Sequence, residues 1–210
     1  MVESFPSAAI DGRRLRSERT KQFIIEAYLA LLSESSKVPT GAQIAERAGY
    51  SVRSIFERFP DLLTLSLAAA DFAFAQANAQ AVVRNVSADR PTRIRTQVET
   101  RAGTCERWLP LWRALHVHQH HSPELQQRLR LMRDAVMRRL ELMYRPELST
   151  LAEAERLRIL IALEALTDFE SWARMRSEHA LSIEGACGVW IRTIDSLLPP
   201  TPRFLDAQTG

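Results

Sequence analysis

The sequence predicts an all-α protein, and three observations carry that reading. Seven glycines are spread over 210 residues, so little of the chain needs backbone that a helix cannot supply. Long tracts are built from Ala, Leu, Glu and Arg, which are strong helix formers. Apolar positions recur every three or four residues, and no segment alternates at period two as a half-buried strand would. Prolines and polar breaks divide the chain into a disordered basic arm over 1–16, a three-helix domain over 17–60, a larger helical domain over 61–198 and a tail over 199–210.

The elements follow in order. Residues 1–16 hold Arg13, Arg14 and Arg16 without apolar periodicity; they either enter a minor groove or remain a solvated tail. From Ser17 to Ser33, the residues Phe23, Ile24, Ala27, Tyr28 and Leu31 follow helical spacing. A polar break, SESSKVP, leads to Thr40, a good N-cap. Ile44, Ala45 and Ala48 line one face of the next helix, and Gly49 stands where a left-handed stop is wanted. Ser51 caps a second short helix with Ile55 and Phe59 facing inward, and Pro60 ends it. Asp61 caps a Leu- and Ala-rich fourth helix to about Arg84. Pro91 begins another that reaches about Arg107, and Pro110 interrupts the following tract to His121. Ser122–Pro123 starts a helix whose stripe is Leu125, Leu129, Met132, Val136, Leu140 and Met143, closed by Pro146. One long helix is expected over Ser149 to about His179 and a last one over Ser182 to Leu198, with a loose tail after Pro199.

Composition narrows the function classes. A formal charge of +3 and a sequence pI of about 9.2 suit a nucleic-acid partner without requiring one. Cys105 and Cys187 lack CxxC spacing, which points to a reducing cytoplasmic location and away from a disulfide framework. The first residues carry no signal-peptide apolar core. The most apolar run, Leu62 to Val83, is interrupted by Asp71, Gln76, Asn78 and Gln80, so no membrane partner is expected.

The most informative stretch is Thr40 to Leu65, a helix, a tight turn and a second short helix. With Ile55 and Phe59 inward, Val52, Arg53, Ser54, Phe56, Glu57 and Arg58 point outward or sideways. Polar, basic and aromatic groups in the first turn and a half of a short helix fit the major groove of double-stranded DNA. Arg53 and Ser54 are the candidates for base edges, since arginine pairs bidentately with guanine. Thr40, Ser51, Phe56 and Arg58 suit the phosphate backbone, and Gln43 and Val52 suit either. The plain alternative is a solvated helical face.

The run Ile44-Ala45-Glu46-Arg47-Ala48-Gly49-Tyr50-Ser51, followed by Ile55-Phe56-Glu57-Arg58-Phe59-Pro60-Asp61, resembles the DNA-binding domain of the TetR family of bacterial transcriptional regulators. Phe169-Glu170-Ser171-Trp172 and the segment from Ala180 through Trp190 to Leu198 are similar to the last two helices of many members. The resemblance implies a repressor with a palindromic operator and a C-terminal ligand-binding and dimerisation domain. It further implies a homodimer formed by the last two helices and a small-molecule effector of unknown identity. Three departures stand out: Phe56 replaces a common tyrosine, Arg58 a common histidine, and Leu62 a common lysine, each changing the expected phosphate contacts.

The resemblance also frames the remaining chemistry. Trp108, Trp112, His116, His120, Met132, Phe169 and Trp172 are the candidate ligand-pocket residues, with core packing as the alternative for the large ones. His116 and His120 share a helix face and suit a metal or a plain surface. No Glu-x-x-His pair accompanies them, so neither a metal nor a cofactor is expected. Glu164 and Asp168 would sit on one face. Without a nucleophile elbow, phosphate loop or metal signature they complete no enzyme. Asp168, Trp172, Trp190, Ile194 and Leu197 are the candidate dimer-interface residues. The runner-up function is a helical metal- or small-molecule-binding protein or enzyme using the segment from His116 to His121.

Overall fold

The structure, a computed structural model, describes residues 8–35, 37–80, 84–117 and 122–202, with backbone alone for 8–11, 13 and 80. The described residues form ten helices and no strand: α1 Ala8–Glu34, α2 Gly41–Ala48, α3 Val52–Phe56, α4 Leu62–Gln80, α5 Arg90–His116, α6 Pro123–Met143, α7 Arg145–Leu148, α8 Glu153–Leu166, α9 Phe169–Ser177 and α10 Ile183–Leu197. They fall into two compact units. One takes in the chain up to Ala73 with Pro110–Leu125; the other takes in Phe74–Leu109 and the chain from Gln126 onward. No helix among the described residues is long and apolar enough to cross a membrane.

The first unit closes on Ile24 and Tyr28 of α1, Ile44 of α2, Ile55 of α3 and Leu65 of α4, all fully buried. The phenol of Tyr28 lies 2.9 Å from the Ser66 hydroxyl. Ser66 donates its own proton to the Leu62 carbonyl at 2.7 Å, so Tyr28 is the donor between them. Burial raises the Tyr28 pKa, with the Ser66 bond opposing it. Arg47 ties α2 to α1 through both oxygens of Glu34, at 2.8 and 2.5 Å. The helix reaches Ala8, so residues 8–16 are helical where a disordered arm was expected. Ala8, Ala9, Arg13, Arg14, Leu15 and Arg16 all favour helix, and Gly12 alone opposes them. Residues 1–7 lie outside the described part.

Three further differences have physical causes in the structure. Helix α5 runs through Pro110 without ending there; the loss of one N–H and the crowding of the Glu106 carbonyl are offset by burial of Trp108, Leu111 and Leu115 around it. The long helix expected over 149–179 is broken. Thr167 turns its hydroxyl back to the Leu163 carbonyl at 2.8 Å, and Asp168 restarts the chain as the N-cap of α9, accepting from the Ser171 amide at 2.6 Å. Before the break, α7 stands as a separate turn with Pro146 near its start.

The third difference is at the far end of the second unit, whose core holds Ile94, Val98, Leu140, Tyr144, Leu163, Trp172, Trp190 and Ile194. Arg93 and Glu147 are buried there as a bidentate pair, at 2.8 and 2.5 Å. Arg93 also donates to the carbonyls of Met143 at 2.7 Å and Ala88 at 3.1 Å. Thr201 donates to Glu147, and Arg90 donates to the carbonyls of Asp195, Leu198 and Pro199. Residues 199–201 are therefore clamped where a loose tail was expected. Burial alone would raise the Glu147 pKa, but the Arg93 and Thr201 hydrogen bonds and the Arg93 charge outweigh it and hold the carboxyl below 4.5.

Candidate nucleic-acid interface

The entry to α2 is built from Thr40 and Gln43. Thr40 is extended (φ −79°, ψ 158°) and its hydroxyl oxygen accepts from the Gln43 amide at 3.3 Å. The Gln43 side-chain oxygen in turn accepts from the Thr40 backbone amide at 2.9 Å and the Thr40 hydroxyl at 3.0 Å. This reciprocal capping box uses the oxygen end of Gln43 and leaves its amide nitrogen outward as a donor. Gly41 has its own reason: a Cβ there would stand 3.0 Å from the Phe56 ring. Glycine thus lets the last residue of α3 close over the start of α2.

The turn forms at Gly49, with φ 73°. Its amide donates to the Glu46 carbonyl at 3.3 Å and that of Tyr50 donates to Ala45 at 3.0 Å, the paired bonds that end a helix with a left-handed residue. Ser51 then caps α3, accepting from the Ser54 amide at 3.1 Å and donating to the Ser54 hydroxyl at 3.0 Å. That relay leaves the Ser54 proton available to an acceptor outside the protein.

On α3 the Arg53 side chain is 88% exposed and Val52 42% exposed. Arg53 donates to Glu57 at 2.9 Å, and that bond raises its pKa. An ion pair so open to water is weak, so the Arg53 guanidinium can give up Glu57 for another acceptor. Arg58 differs from the expectation of an outstretched phosphate grip. It folds back and donates to the Ser54 carbonyl at 3.0 Å, while its Nε is buried with no hydrogen-bond partner among the described residues. Helix α3 therefore presents Val52, Arg53 and Ser54, with Gln43 beside the α2 cap and the Phe56 ring, 39% exposed, between them. Sequence reasoning passed over the roles of Gly41 and Glu57. The four-residue spacing of Arg53 and Glu57 was the available signal for the second.

The other predicted sites fare differently. Trp112 and His116 sit tilted with ring centroids 4.2 Å apart, and His116 Nδ1 lies 3.0 Å from the Trp112 carbonyl oxygen. His120 lies outside the described residues, together with His118 and His121. Among the described residues no three His, Cys, Asp or Glu side chains gather as a metal site. Trp108 is buried beneath the Arg107 guanidinium, 4.7 Å away, and Phe169 beneath that of Arg101, 4.8 Å away. Met132 is half-buried on α6. Trp172 packs on Trp190 at 4.8 Å, and its indole donates to Glu106 at 2.8 Å. Cys105 is a core side chain, its thiol pushed by burial up to about 11 and so unreactive at neutral pH.

The dimer-face expectation needs correction. Trp172, Trp190 and Ile194 are 0% exposed within a single chain, so they are core and cannot meet a partner. Asp168 is spent as the α9 cap, and Leu197, 37% exposed, is the apolar member left at the surface. The paired-carboxylate face also dissolves, because the break at Thr167 separates Asp168 from Glu164, which instead lies 3.5 Å from Arg133.

No protein-family model and no curated protein matches the sequence. Solved structures do. A transcriptional regulator from Rhodococcus sp. Rha1 shares 16% identity and a TM-score of 0.67, covering 87% of this chain and 99% of that one. A protein from Rhodococcus sp. described as a TetR-family transcriptional regulator shares 17% identity and a TM-score of 0.66, covering 85% and 98%. A third, from Mesorhizobium loti MAFF303099 and described in the same terms, shares 16% identity and a TM-score of 0.61, covering 88% and 99%. The chain thus has, over nearly its whole length, the all-α fold of TetR-family transcriptional regulators.

Proposed function

We propose that this chain is a sequence-specific, DNA-binding regulator of transcription that acts as a homodimer in the cytoplasm. The observation that carries the reading is the short, Ser51-capped helix α3 with Arg53 almost fully in water and only an exchangeable partner. The shared fold with proteins described as transcriptional regulators supports it. Two copies would place α3 in successive major grooves of a palindrome, about 34 Å apart, with the Gln43 amide, Ser54 hydroxyl and Arg53 guanidinium as donors. The dimer face we assign to α8, where Leu157 and Ile161 are four residues apart and half exposed. Repression, and release by a small effector in the C-terminal domain, are the finer parts of the proposal. Such an effector acts only through unequal affinity for DNA-fitting and non-fitting states.

The deciding experiment is selection from a random duplex library by the purified protein at near-physiological salt. Enrichment of one palindrome is expected, and no enrichment by folded protein would overturn the reading. Ile161→Glu is expected to give folded monomers in sedimentation; an intact dimer would move the interface away from α8.

A further inference from the structure

Within the second unit, the end of α6, the short α7 and the first turn of α8 enclose a surface recess of about 430 Å³. Arg138, Arg145 and Arg156 line it from those three elements, with Glu141, Leu142 and Leu148 between them. The charges do not balance: three guanidiniums face one carboxylate. Glu141 is engaged loosely with Arg156, at 4.0 Å. The next carboxylate along the chain, Glu147, is turned inward and spent on Arg93. The side chains of Arg138 and Arg145 make no hydrogen bond or ion pair among the described residues.

On an ordinary solvated helix, arginines find carboxylates three or four residues away. Asp134 and Glu153 stand at that spacing from Arg138 and Arg156, yet neither arginine pairs with them among the described residues, and the recess that the fold builds holds one carboxylate for its three arginines. Leu148 is buried beneath it, and Leu142, half-buried, gives the recess its apolar surface. Its volume lies in the range of small-molecule sites. Convergent guanidiniums match phosphate oxygens in number and planarity, and a doubly charged group would cancel the excess of two positive charges.

We infer that this recess is a binding site for a small organic phosphate, its phosphate held by Arg138, Arg145 and Arg156 and its apolar body against Leu142. The inference is independent of DNA reading and of the expected Trp–His pocket, since it shares no residue with either. Arg156 would exchange Glu141 for the ligand, while the other two arginines have nothing to give up.

The test is titration of the full chain with phenyl phosphate at low salt, followed by the ¹⁵N–¹H resonances of the backbone and arginine Nε groups. Saturable shifts over residues 138–156 are expected, with inorganic phosphate and benzoate each at least tenfold weaker. Arg138→Gln with Arg145→Gln should weaken phenyl phosphate at least tenfold while leaving the melting temperature unchanged, and Arg158→Gln on the same helix as Arg156 should bind as the parent does. Non-saturable shifts, shifts confined to the first unit, or undiminished binding by the double variant would overturn the inference. Equal binding of inorganic phosphate would remove the apolar body from it, and equal binding of benzoate the phosphate.

Discussion

The turn between α2 and α3 and the clamp at the start of α5 are both polar, yet they are built in opposite ways. In the turn, the bonds of Thr40 with Gln43, Ser51 with Ser54 and Arg53 with Glu57 close within three or four residues and stay in water. In the clamp, Arg93 reaches Glu147 and Arg90 reaches Asp195 and Pro199, at 54 to 109 residues' separation. The Arg93–Glu147 pair is 2% and 0% exposed. Local bonds shape a surface whose polar groups stay open to water, and distant buried ones hold a scaffold together. The same residue type serves both: Arg53 gains little from its carboxylate and can leave it, whereas Arg93 without Glu147 is a stranded charge.

The largest expected effect breaks the clamp. Glu147→Ala leaves Arg93 buried and unpaired, a loss of about 3–5 kcal/mol, a large fraction of what a domain has. Urea unfolding followed by tryptophan fluorescence should show it, and a midpoint near the parent's would mean the pair does not hold the second unit. Acid tests the same contact. Because the folded Glu147 carboxyl lies below 4.5, its contribution is complete above that value and disappears as pH falls through the lower folded value. The parent should lose stability there, and Glu147→Gln, already weaker at neutral pH, should fall less steeply.

At the turn the expected effects are smaller in stability and larger in recognition. Arg53→Ala should weaken binding to the selected duplex by roughly ten- to a hundredfold with an unchanged melting temperature. If the selected base pattern survives, Arg53 is not the reader. Gly49→Ala places a side chain at φ 73° and should lose about 1 kcal/mol, and Thr40→Ala, which removes a cap, about the same; both are read by chemical denaturation. Smallest of all is Glu34→Gln, since the Arg47 pair it weakens is exposed. A shift in midpoint comparable to that of Thr40→Ala would show that α1 and α2 depend on the pair.

The turn was legible almost atom by atom, because Thr40, Gly49, Ser51 and Asp61 act on amides a few residues away and their chemistry decides where a helix starts or stops. The stripe from Leu125 to Met143 was legible for a similar reason, as periodicity is a property of one helix. Pro110 and the 149–179 tract misled the same rules. A buried helix can absorb a proline, and Asp168 looked like one more helical residue until its carboxylate was seen to accept from Ser171. Large side chains misled them too, since Trp190 and Ile194 read equally well as interface or interior.

The sequence alone therefore determined the all-α class, the caps, the turn at Gly49 and the outward residues of α3, since each depends on neighbours within a turn of helix. Tertiary structure decided that Trp172, Trp190 and Ile194 are core, that Glu147 meets Arg93, that residues 199–201 are held by Arg90 and Glu147, and that Arg138, Arg145 and Arg156 share one recess. Those outcomes depend on which helices meet and in what rotation, and no spacing along the chain encodes that directly.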